Sequence, residues 1–417
     1  MTVPLLFAVL MCLDCHAAVN SREPSQVAVS LQEEGPFDGR LWFLNGEGTN
    51  ETYTVTAFGS GGERIPEAQQ LLVGRHTAWP SAIDDGRSLK VYASVFDGTR
   101  WSQVGLWEST SFDPTQMDFV GEVKAALPDE PYGIGPVHVG YDPDQPHARA
   151  RYLMWYLVRG AFGPGYTTRL AVSPDGLTWT SDREVLWATL PEEEAGFSGP
   201  SHACRLPTGQ WVLFYNAYPS LTQSVAVVAL SASNSPAGPF REKHVIMTPD
   251  DIATTVVGDA LPGTTSFTVR DHDLVSPGLA YMLSDGSPET LELVTVTSTQ
   301  EGTITVALPL IHDHSNHALL SLLQKKVAPG FAWMTPQGAW GGVFTGYGHM
   351  VHSEPLQVAS EYTVLVKSPS LLGPWEVDTS RPAPVFQPFS PDFLYSTENP
   401  TPVLSNANCD MQGGATP

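Results

Sequence analysis

The chain has 417 residues, 42% of them hydrophobic, which is enough for one large core and a second, smaller one. Charged residues are only 16%, against 37 glycines and 36 prolines; that balance fits many short strands joined by turns and excludes coiled coil and disorder. The formal net charge of -23 repels phosphate backbones and argues against a nucleic-acid partner.

In chain order, the N-terminus runs Met1-Thr-Val-Pro-Leu-Leu-Phe-Ala-Val-Leu-Met-Cys-Leu-Asp-Cys-His-Ala-Ala18. An apolar run ending in small residues reads as a secretory signal over 1–20, although no Lys or Arg precedes it and Asp14 and His16 interrupt its end. The expected location is therefore secreted or cell surface. No other stretch is long and apolar enough to span a bilayer. Cys12 and Cys15 fall within this segment. Cys204 and Cys409 remain, with no spacing that pairs them or makes a zinc site, so no disulfide dependence, metal or cofactor is expected.

Two N-terminal strands, Arg40-Leu-Trp-Phe-Leu44 and Thr52-Tyr-Thr-Val-Thr-Ala57, precede a degenerate repeat. Each unit opens on an x-Pro step, continues into an apolar-aromatic strand, and closes on a strand ending in Ser with a Gly/Pro turn. The first unit runs Trp79-Pro80-Ser81, Leu89-Lys-Val-Tyr92 and Val104-Gly-Leu-Trp107. The second runs Gly135-Pro136-Val137-His138, Tyr152-Leu-Met-Trp-Tyr156 and Arg169-Leu-Ala-Val-Ser-Pro-Asp-Gly-Leu-Thr-Trp179. The third runs Gly199-Pro200-Ser201-His202, Trp211-Val-Leu-Phe-Tyr215 and Val228-Ala-Leu-Ser231, closing with Ala237-Gly-Pro-Phe240. From 250 to 322 the pattern breaks into alternating Thr/Val-rich strands, among them Leu291-Glu-Leu-Val-Thr-Val-Thr297 and Gly302-Thr-Ile-Thr-Val-Ala-Leu-Pro-Leu310. A fourth unit then runs Thr335-Pro336, Gly342-Val-Phe-Thr345 and Val364-Leu-Val-Lys-Ser368, closing with Leu372-Gly-Pro-Trp375. A fifth x-Pro step is Asn399-Pro400.

One such sheet cannot bury both faces alone. Set radially, each sheet covers its neighbours and leaves only short edges. The predicted fold is all-β: a five-bladed β-propeller with a small β-barrel-like insertion between blades three and four. Residues 36–249 supply the outer strands of blade five and then blades one to three; 250–322 form the insertion; 323–417 supply blade four and the strand that closes blade five, from Asn399 to Leu404.

The unit resembles that of the five-bladed glycosidase superfamily: arabinanases, xylosidases and invertase-like enzymes. The insertion resembles small β modules of viral structural proteins. The first resemblance implies three carboxylates at the openings of the first three inner strands, because glycoside hydrolysis protonates a leaving oxygen while water or a carboxylate attacks the other face. The matching positions here are Trp79, Gly135 and Ser198, so the usual acids are replaced. Glu398, just before the fifth x-Pro step, is the candidate relocated catalytic acid. Asp129, Glu130, Glu192, Glu193 and Glu194 read as solvated loop acids, and Asp84 and Asp85 as an ordinary turn beside Gly86. His76, His138 and His202 lie near the first three openings, the last two at one offset. With Trp79, Trp333, Tyr347 and His349 they are candidate sugar contacts, blade-seam packing being the alternative for each. His312, His314 and His317 read as a polar turn and not as a metal site. Asn50-Glu51-Thr52 is a glycosylation sequon that matters only in a eukaryotic source.

The expected function is a carbohydrate-active propeller protein related to glycoside hydrolases, acting on or recognising a glycan. The alternatives are a non-catalytic adhesion protein, or a virion structural protein that self-assembles through the insertion.

Overall fold

The computed structural model describes residues 10–12, 42–47, 53–58, 64–65, 76–378 with short breaks, and 402–410. The breaks are 131–132, 144–149, 159–165, 221–222, 276, 279, 286–289, 291, 323–324 and 348–360. The described residues form strands and short 3-10 turns, with no α-helix among them.

An N-terminal sheet contains β1 (Leu10–Cys12), β2 (Trp42–Glu47), β3 (Tyr53–Phe58) and β4 (Arg64–Ile65). Three four-stranded antiparallel sheets follow. The first holds β5 (His76–Asp84), β6 (Leu89–Phe96), β7 (Trp101–Ser109) and β8 (Asp118–Ala125). The second holds β9 (Ile134–Tyr141), β10 (Tyr152–Val158), β11 (Thr167–Ser173) and β12 (Thr180–Trp187). The third holds β13 (Phe197–Arg205), β14 (Trp211–Ser220), β15 (Gln223–Ser231) and β16 (Phe240–Met247).

Next come β17 (Thr254–Thr255), β18 (Ser266–Thr268), β19 (Ala280–Ser284), β20 (Glu292–Gln300), β21 (Thr303–Val306) and β22 (Leu319–Leu322). They pair among themselves in the order β17-β22-β19-β20-β21-β18. The last sheet holds β23 (Lys325–Met334), β24 (Trp340–Tyr347), β25 (Glu361–Ser368) and β26 (Glu376–Val377), and a two-residue parallel pairing joins β23 to β15.

The first strands of these sheets lie side by side in chain order. Ser81 Oγ on β5 accepts from Val139 N on β9 at 2.8 Å. His138 Nε2 on β9 meets the Ala203 carbonyl on β13 at 3.0 Å. The His202 ring on β13 lies 4.3 Å from that of Phe331 on β23. This succession of inner strands is the arrangement of a β-propeller. It explains why Tyr152–Val158 is buried at every residue: a strand covered by neighbours on both faces has no solvent side to alternate with. Trp155 and Trp211, centroids 5.3 Å apart, fill the seam between the second and third sheets. The Trp155 indole N–H is satisfied by the Pro236 carbonyl at 3.1 Å.

Asn399 to Thr401, expected to begin the closing strand of blade five, lie outside the described residues. From Leu404 the chain runs across the far ends of the inner strands. Leu404 bridges Ile83, its carbonyl accepting from Asp84 N at 3.0 Å. The Ala407 carbonyl accepts from Arg205 N at 2.7 Å, and that of Cys409 from Met334 N at 2.8 Å. The Arg205 guanidinium reaches Asn408 Oδ1 at 3.0 Å and Asp142 at 3.0 Å. Cys204 and Cys409, too far apart in the sequence for spacing alone to pair them, form a disulfide across a separation of 205 residues. Sequence spacing had no means of pairing them; strand β13 and the crossing segment bring their Cα atoms to 4.9 Å.

Candidate functional site

The openings of the inner strands are where the resemblance places chemistry. On β5, Trp79 takes a left-handed backbone (φ 54°) at a register shift between Ala78 and Ser81. Its side chain is buried, 4.7 Å from Trp101 and in one cluster with Ala78 and with Ala328 of β23. Trp333, near the other end of β23, is also buried and stacks on Phe331 at 6.0 Å.

His138 and His202 share their offset and a location, 5.0 Å apart edge to face, but both are 1% exposed. Strand alternation turns them into the seams. Burial pushes His138 down to about 4. Burial also pulls His202 well below its ordinary value, and the neighbouring His138 adds to the shift. Both are therefore neutral near pH 7. His202 Nδ1 has no hydrogen-bond partner among the described residues. His76 begins β5 and Tyr347 ends β24, but their side chains lie outside the described set, and Glu398 and His349 lie outside it altogether.

The acids hold a larger difference from expectation. Glu130 and Glu193, read as solvated loop residues, are 0% and 1% exposed. Each closes a tight turn just before an inner strand. Glu130 accepts from Leu127 N at 2.7 Å, Tyr156 Oη at 3.0 Å and Arg169 Nη1 at 2.9 Å. Glu193 accepts from Leu190 N at 2.7 Å, Thr189 N at 2.6 Å, Tyr215 Oη at 2.7 Å and Lys243 Nζ at 2.7 Å. The sequence signal is a second repeat: Leu127-Pro-Asp-Glu130 followed by Gly133, and Leu190-Pro-Glu-Glu193 followed by Gly196. Gly133 (φ 88°) is obligatory there, since a Cβ would lie 2.0 Å from the Trp101 carbonyl oxygen. Carboxylates so supplied with donors act as clamps: Glu130 accepts three hydrogen bonds, and Glu193 has donors on both oxygens from two backbone amides, a tyrosine and a lysine.

Asp85 combines the expected turn with a second role. Its Oδ1 caps the backbone of Arg87 at 2.9 Å, while its Oδ2 meets Lys90 at 2.7 Å and Tyr152 Oη at 2.6 Å. Burial raises its pKa, and the Lys90 and Tyr152 hydrogen bonds outweigh that to leave it lowered. Asp129 and Glu194 are exposed, as the loop reading has it.

Near the openings, Thr77 Oγ1 on β5 and Asn216 Nδ2 on β14, directly opposite Ser198 in register, are likewise buried without a hydrogen-bond partner among the described residues. Among the described residues no group of His, Cys, Asp and Glu is arranged to hold a metal. His314 instead sits buried between Asp285 and Glu292, 2.7 Å from each, while His317 meets Arg270 and Asn316.

No family model matches the chain, and no curated protein does. Among solved structures it is similar to an endo-arabinase from Bacteroides thetaiotaomicron, at 10% identity over 72% of this chain and 79% of that one, TM-score 0.41. It is similar to an endo-1,4-beta-xylanase from the same organism, at 13% identity over 84% and 92%, TM-score 0.44. An exo-1,5-alpha-L-arabinanase from a bovine ruminal metagenomic library matches at 12% identity over 82% and 93%, TM-score 0.40.

Proposed function

We propose that this protein recognises a glycan at the mouth of a five-bladed propeller and no longer hydrolyses it. In this reading strands β2 and β3 of the N-terminal sheet complete the fifth blade, and the β17–β22 sheet is a module inserted between blades three and four. The observation that carries it is Asn216: a 3% exposed side chain whose amide nitrogen has no partner, opposite Ser198, the position at which the resembled superfamily carries an acid. A buried unpaired donor costs about 1–3 kcal/mol, and a ligand rich in hydroxyls supplies the missing acceptor. Loss of hydrolysis is supported by Trp79, Gly135 and Ser198 at the three openings and by the engagement of Glu130 and Glu193 in ion pairs with Arg169 and Lys243. Export is supported by the Cys204–Cys409 disulfide, which persists in oxidising compartments.

The test is a glycan array and a chromogenic-glycoside screen on the purified full chain, with Asn216→Ala and Glu398→Gln alongside. Retention of a subset of glycans without turnover, weakened about tenfold in Asn216→Ala at unchanged Tm, is expected. Turnover abolished by Glu398→Gln overturns the loss of hydrolysis; absence of any glycan bound overturns the reading as a whole.

A further inference from the structure

The four most exposed large hydrophobic residues among those described are Leu308 (76%), Ile311 (73%), Leu261 (57%) and Val257 (48%). All four belong to the β17–β22 sheet and its connections, and they lie on two segments that run antiparallel. Ala260 and His314 exchange both backbone hydrogen bonds at 2.9 Å, Gly263 N donates to the Leu310 carbonyl at 2.8 Å, and Leu310 N donates to Thr264 at 2.9 Å. Exposed hydrophobics scattered singly need no explanation, whereas four concentrated on two paired segments point to a contact surface.

The edge is held from beneath. The His314 ring is wedged between Asp285 and Glu292, so both of its nitrogens face carboxylate oxygens. Glu292 also accepts from Ile311 N at 2.9 Å and His312 N at 3.2 Å, and Asp285 from Ser315 N at 2.9 Å. The backbone that presents Ile311 is thus fixed before anything binds, which removes the ordering cost of association. The charge around it is one-sided. Asp259 and Asp313 are exposed on the two segments, and residues 250–322 contain ten acids against Arg270 alone.

We propose that this edge docks a protein partner whose matching surface is an apolar patch fringed by Lys and Arg. A second copy of this chain would bring the same acidic rim against itself, and an anionic bilayer would be repelled.

The full chain is titrated with three labelled peptides: a Trp/Leu core flanked by Lys and Arg, the same core flanked by Glu, and the basic flanks around a Ser core. Fluorescence anisotropy is read at low and raised salt. The basic-apolar peptide is expected to bind about tenfold or more tighter than either control, and to lose about tenfold in Leu308→Ser/Ile311→Ser. Leu177→Ser/Leu372→Ser, exposed hydrophobics elsewhere, should change nothing. Asp259→Asn/Asp313→Asn should weaken binding and flatten its salt dependence, and this keeps the test open if the apolar variant folds poorly. Equal affinity for the three peptides, or unchanged binding in both edge variants, overturns the proposal. So does dimerisation in sedimentation, or binding to phosphatidylcholine vesicles, that Leu308→Ser/Ile311→Ser removes.

Discussion

At the scale of single residues, burial decides what each side chain does. His138 titrates at about 4 in the folded protein because burial disfavours its charged form, against an ordinary 6.5 when unfolded. Between those values the unfolded chain binds a proton that the folded one does not. The stability is therefore complete above about pH 6.5 and falls as pH drops toward 4, by about 3 kcal/mol for this residue. His202, displaced in the same direction, steepens the same slope. The midpoint of urea unfolding is expected to drop on going from pH 7.5 to 4.5, and by visibly less in His138→Phe. Nothing in the spacing of His138 and His202 distinguishes a ligand-facing histidine from a packed one. The shared offset after Pro136 and Pro200 was legible, but the face on which each points depends on a register shift just before it, between Ile134 and Val137 on β9 and between Ser198 and His202 on β13, which the sequence does not announce.

At the scale of elements, the turn-to-strand clamp built on Glu130 recurs on Glu193 with different cations. Arg169 comes from the third strand of its sheet, and Lys243 from the fourth strand of the next. Both clamps fix the height at which an inner strand begins. Lys243→Met leaves the Glu193 carboxylate buried and uncompensated, at a cost of about 3–5 kcal/mol. Glu193→Gln/Lys243→Met is expected to recover most of that loss, and thermal unfolding of the four species of the cycle measures it. The strands themselves were legible: the apolar run Tyr152–Tyr156 and the alternation of Val294, Thr295 and Val296 were plain in the sequence, whereas the burial of Glu292 in place of Leu293 was not. The clamps were not, because an acidic loop in a chain of net charge -23 reads as solvated until the tyrosine and cation of other strands are seen to meet it.

At the scale of the whole molecule, sheets that pack radially are held by a segment that belongs to none of them. Residues 404–410 touch β5, β13 and β23 and end on a disulfide. Cross-linking across 205 residues restricts the unfolded chain by about 5 kcal/mol in the chain-entropy description. Reduction is expected to lower Tm markedly, and to raise hydrogen exchange first at the amides of Arg205, Met334 and Cys409, which bond across this seam. The order of synthesis gives the arrangement a further consequence. Residues 404–410 leave the ribosome after every strand they touch, so the ring acquires its last ties only when translation has passed them. Until then Cys204 lacks the partner it has in the folded chain. Thiol reactivity at that position therefore reports whether a given molecule has made this tie.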